Sequence, residues 1–110
     1  SFAVEMLRLV RRVPADASND ALLRQLARSA TGMSSNYRAA CCARSRAEFI
    51  AKLCVAVEEA DETEHWLWMM GELGIGRDAV FDVLVKESHE LRAILAASAG
   101  TARRNAQMAK

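Results

Sequence analysis

Glu62-x-x-His65 is the first spacing in this chain that could do chemistry. Residues three apart on a helix share a face, so carboxylate and imidazole could hold one metal ion, as in one half of a di-iron bundle site. A complete site needs a second such pair and further carboxylates. His89 is the only other imidazole, and Glu87 and Glu90 beside it do not repeat the spacing. The pair therefore predicts a solvated or salt-bridged face, with no metal and no cofactor; a carboxylate-rich metal-binding bundle enzyme is the alternative. Neither His65 nor His89 stands in a nucleophilic arrangement with Ser or Cys, and no glycine-rich phosphate loop follows a strand. The expectation is a protein that is not an enzyme.

His65-Trp-Leu-Trp-Met-Met70 carries different information. Consecutive helical residues turn by about 100°, so Trp66 and Trp68 lie about 200° apart and cannot face one seam. A bundle core uses only part of a helix circumference. Either one indole sits exposed at a helix end or a second surface covers it. Aromatic residues and Met are enriched where subunits meet, which favours an oligomer interface at Trp66, Trp68 and Met69.

Arginines gather in three places: Arg8, Arg11 and Arg12; Arg38, Arg44 and Arg46; and Arg103-Arg104. Most such groups are solvated faces, but symmetric copies can combine them into one patch, making Arg38, Arg44 and Arg46 the candidate nucleic-acid contacts. Lys+Arg 15 against Asp+Glu 14 leaves a net charge of +1, without the strongly basic footprint usual for phosphate binding. Cys41, Cys42 and Cys54 cannot all pair with one another. With no secretory signal and no apolar run approaching the ~20 residues of a membrane span, reduced thiols in the cytoplasm are expected. Cys41 and Cys54 fit apolar stripes and are expected packed, Cys42 more exposed. The chain opens at Ser1 rather than Met, so preceding residues are expected in the native protein.

The elements that position these groups are helices. The chain has 110 residues, one Pro and much Ala, Leu, Arg and Glu. Phe2, Met6, Leu9, Val10 and Val13 recur at helical spacing up to Pro14, which pushes the residue before it out of the α region. After a connection over residues 15–19, capped by Ser18, Asn19 or Asp20, a second helix runs to about Ala43. Its stripe is Leu22, Leu23, Leu26, Ala30, Met33, Tyr37 and Cys41. Small residues around Gly32 let another helix come close. Ser45-x-x-Glu48 forms a capping box and starts a third helix that reaches about Glu72, with Gly74 as its stop. A fourth covers about Arg77 to Ala99, with Val80, Phe81, Leu84, Leu91, Ile94 and Leu95 on its apolar face. The expected fold is all-α, an antiparallel up-down-up-down four-helix bundle with a long central hairpin. Residues 1–100 form the single domain and 101–110 a frayed tail.

With the turn near Ser45, positions facing each other across the hairpin sum to about 90, which puts Arg28 opposite Glu62 and Arg24 near Trp66. Arg28 and Glu62 are thus expected to set the register of the helix pair, with Asn36 as a polar group near the apolar stripe doing the same.

Leu26-Ala-Arg-Ser-Ala, Ser34-Ser-Asn-Tyr-Arg, Ser45-Arg-Ala-Glu-Phe-Ile and Glu59-Ala-Asp-Glu-Thr-Glu-His-Trp-Leu, in that order, resemble the signature of one bacterial family. These are small four-helix-bundle proteins, products of intervening sequences in large-subunit ribosomal RNA genes, related to the accessory variability protein of diversity-generating retroelements. The resemblance implies an antiparallel four-helix bundle assembled as a ring-like homopentamer, mostly without assigned activity. It also implies, through the retroelement relative, protein and nucleic-acid partners. Ala39 stands where relatives often carry Glu, His65 where they often carry Tyr, and the near-neutral charge departs from the basic retroelement protein. The function expected is a non-enzymatic homo-oligomeric scaffold or adaptor.

Overall fold

A computed structural model describes residues 1–14 and 16–109. Four helices follow in order: α1 (Phe2–Arg12), α2 (Ala17–Cys41), α3 (Arg46–Leu73) and α4 (Ala79–Met108). Each begins where a side chain satisfies backbone N–H groups that have no partner within the helix. Ser1 caps α1, Asp16 caps α2, Ser45 caps α3 and Asp78 caps α4. The cap of α2 is thus Asp16, ahead of the expected Ser18, Asn19 or Asp20. Its Oδ1 accepts from the Ser18 and Asn19 amides at 2.8 and 3.4 Å and from the Ser18 hydroxyl at 2.7 Å. These bonds hold its carboxyl below the usual range. Ala15, within the expected connection, lies outside the described residues.

The ends obey equally local rules. Val13, before Pro14, is extended at φ −80 and ψ 129. Gly74 closes α3 in the left-handed region at φ 69, where a Cβ would be strained. At the hairpin corner the Glu48 amide donates to Ser45 Oγ at 3.1 Å. The Glu48 carboxylate accepts from the Arg44 amide at 3.4 Å, one residue ahead of its expected partner. The expected tail after Gly100 is helical as far as Met108, where α4 ends, and Lys110 lies outside the described residues. Arg103 reaches back to Cys54 on α3, with Nη2 2.8 Å from Sγ.

The bundle measures 52 × 21 × 20 Å. Helix α2 packs on α1 and α3, and α4 on α3 and α1, while among the described residues the backbones of the diagonal pairs α1–α3 and α2–α4 stay farther apart. This is the expected antiparallel up-down-up-down arrangement. Met6, Leu9, Leu26, Leu53, Leu67 and Met70 form the most deeply buried part of the core. The short α1 reaches only as far along α2 as Tyr37, where Ser1 and Phe2 meet Met33, Leu91 and Leu95 at a groove of about 310 Å³. Two expected stripe residues of α2 stand outside the core: Tyr37 is 51% exposed and Cys41 is exposed, at and beyond the stretch of α2 along which the described α1 lies. Ile94 in the same groove, and Val80 near the start of α4, are also exposed rather than in the core.

Candidate functional site

The outer face of α3 is where the sequence's candidate groups converge. Its inner face is occupied by Leu53, Ala56, Ala60, Thr63, Leu67 and Met70. Residues on the opposite side must therefore project outward, and Glu58, Asp61, Glu62, Glu64, His65 and Trp68 line a wide, open hollow there. The two tryptophans separate as their spacing requires. Trp66 is half-buried against the core, and its Nε1 donates to Glu62 Oε1 at 3.3 Å. Trp68 is 61% exposed. The His65 ring lies parallel to it within 22°, centroids 6.3 Å apart, and meets the Trp66 ring edge-on at 4.9 Å. Met69 is half-buried against the core.

Glu62 is engaged on the α2 side. Arg28 forms a close ion pair with it and a second at 3.4 Å with Glu59. Beneath them Thr63 and Ser29, both fully buried, bring their hydroxyls within 2.9 Å of each other. Each hydroxyl is also within reach of a carbonyl in its own helix, Thr63 of Glu59 O (2.8 Å) and Ser29 of Leu26 O (3.2 Å), and the two hydroxyl protons serve two of these three contacts at a time. Gly32 completes the seam: a Cβ there would stand 2.9 Å from the Glu59 carboxylate, so the glycine makes room for it. Asn36 makes its bond locally, donating to Gly32 O at 2.8 Å, and not across the hairpin.

Glu64 faces the other way, onto α4. Its carboxylate accepts from Arg92 Nε and lies 2.7 Å from His89 Nδ1. Burial works to raise its pKa, but the bonds and charges of these two partners outweigh burial and leave it lowered. Read from spacing, the acidic middle of α3 pairs with α2 alone. A central helix is flanked on two sides, and the His89–Arg92 spacing on α4 is the signal for the second set of pairs.

Glu62 and His65 do not converge on a common point. The carboxylate is held by Arg28 and Trp66, and the imidazole stacks outward on Trp68. Among the described residues no group of three His, Cys, Asp or Glu side chains is placed to hold a metal ion. Arg38, Arg44 and Arg46 are exposed around the hairpin corner, and none makes an ion pair among the described residues. Cys42 is exposed beside Cys41, and Cys54 is half-buried.

The family model for the 23S rRNA-intervening sequence protein matches residues 1–97. The chain belongs to this family. A similar solved structure is a protein of unknown function from the S23 ribosomal protein family of Bacteroides thetaiotaomicron, 30% identical. The alignment covers 89% of this chain and 91% of that one, with a TM-score of 0.79. No curated protein matches the chain. The intervening-sequence family is the one that the four ordered motifs resemble, and the solved fold agrees with the four-helix bundle expected from them.

Proposed function

We propose that this intervening-sequence family protein is a non-enzymatic homo-oligomeric scaffold or adaptor acting in the cytoplasm. The observation that carries the reading is the exposed Trp68 indole, 61% accessible on a helix whose inner face is already filled. A large aromatic group left in water is costly, and an interface with another chain is the ordinary way to remove it. Trp66 and Met69 stand next to it and would back the contact from the core side. The family resemblance favours a pentamer. Light scattering on the purified protein at micromolar concentration tests this: a mass that is a multiple of 12.1 kDa is expected, and a monomer would end the reading.

An assembly of this kind presents each surface several times over, which suits protein partners. Arg38, Arg44 and Arg46, exposed and without ion pairs among the described residues, make nucleic acid a second class of partner. The metal-bundle alternative has little support, since Glu62 and His65 are each engaged elsewhere. A membrane role has none from the helices: among the described residues no helix is long and apolar enough to cross a bilayer.

A further inference from the structure

We infer that the Trp68 face of one copy docks in the α1–α2 groove of the next, making a heterologous contact that closes into a ring. This rests on the oligomeric reading above. Around the exposed indole and its stacked imidazole stand Glu58 and Asp61, and about one turn beyond Trp68 stands Glu72. These three carboxylates make no ion pair among the described residues, unlike Glu62 and Glu64. An aromatic knob with an acidic rim rejects a second copy of itself, because a two-fold contact would bring like charges together as water leaves. It calls for a surface apolar at the centre and cationic at the edge.

The same chain carries such a surface on another side. A shallow groove of about 340 Å³ between α1 and α2 has Val10, Val13, Leu23 and Ala27 as its floor. Arg11 and Arg24 stand on its walls, exposed and without ion pairs among the described residues, against the single carboxylate of Asp20. The knob stands on the outer face of α3 and the groove opens between α1 and α2, with no lining residue in common, so the two lie apart on one copy. They do lie at one height along the bundle. Arg28 faces Glu62 and Ser29 faces Thr63. Carried about one turn further, the same register sets Leu23 and Arg24 level with Leu67 and Trp68. A neighbour related by rotation about a separate axis parallel to the long axis, without translation along it, therefore offers its groove to the knob. Such a rotation gives a ring, closed when the turn per copy divides a full circle, rather than a helical filament.

Two variants separate the halves of the contact. Trp68→Ala removes the knob and keeps the groove; Arg11→Glu with Arg24→Glu spoils the groove and keeps the knob. All three positions are exposed, so circular dichroism should show native helix content in both. Each variant alone is expected to run as a 12.1 kDa monomer by light scattering, and an equimolar mixture as a dimer of twice that mass, joined by the one intact contact. A wild-type monomer would remove both the oligomeric reading and this pairing. A wild-type oligomer whose variants keep their full mass, or whose monomeric variants fail to pair on mixing, would remove the pairing alone.

Discussion

Glu64 shows what one carboxylate can do when its helix has neighbours on two sides. It ties α3 to α4 through Arg92 and His89 and is only partly exposed, so solvent screens these bonds less than it would at the surface. Its pKa is lowered in the folded state from an ordinary value of 4.5. The folded chain therefore binds this proton less readily than the unfolded one. The stabilisation is present in full above the ordinary value and is lost as pH falls through the lowered one. Glu64→Gln is expected to cost about 1 kcal/mol at neutral pH, read as a fall in Tm of roughly 4–8 °C. Thermal melts of the two proteins should converge as the buffer is taken well below pH 4.5. A difference that persists unchanged in acid would show that the carboxylate's charge is not the cause. The same residue-level logic separates Trp66 from Trp68, where two positions along one helix turn the same side chain from a half-buried wall into an exposed knob.

Helix α1 is the element on which the shape of the bundle depends. It has 11 residues where the other three have 25 to 30, too short to be a stable helix by itself in water. It is held by Phe2, Met6 and Leu9 pressed into the core and by the Arg12–Asp78 ion pair at 3.1 Å. Met6 is completely buried, and Met6→Ala should destabilise the protein by about 2–5 kcal/mol. Denaturant unfolding measures the loss, and amide exchange should show protection falling first over Phe2–Arg12. Equal loss of protection in all four helices would mean that α1 is not a separately weak unit. Because α1 also forms one wall of the Val10–Leu23 groove, the variant is further expected to weaken assembly.

At the scale of the whole molecule, charge is distributed rather than accumulated. A net charge of +1 gives a single copy little long-range pull on phosphate. In the ring proposed above, the hairpin corners of all copies would stand at one end, and Arg38, Arg44 and Arg46 would repeat there as a basic collar. The assembled protein is expected to bind heparin or an RNA oligonucleotide at low salt. Replacing Arg44 and Arg46 with Ala should reduce the slope of log affinity against log salt by about one for each phosphate that an arginine no longer neutralises. Absence of retention at low ionic strength would exclude the collar as a nucleic-acid surface. A monomeric Trp68→Ala protein that binds as tightly as the wild type would show that the ring contributes nothing.

Much of this molecule is written in short-range chemistry. Pro14, Ser45 and Gly74 end or begin helices through bonds and dihedral limits that span a few residues, and the tight corner at Ser45 pins the hairpin register. For that reason the four helices and the Arg28–Glu62 pairing could be read from residue order and spacing. Periodicity also showed that one face could not take both indoles. It could not say which indole the core would take, because a 3.6-residue repeat names a face but not the helix lying against it. Tyr37, Cys41 and Ile94 sit on apolar stripes and are still exposed, because a stripe marks a face whether or not another helix lies against it. Glu64 found its partners on α4, and Val10 and Leu23 became a groove, only when successive helices packed side by side in registers that no capping box at the connection sets.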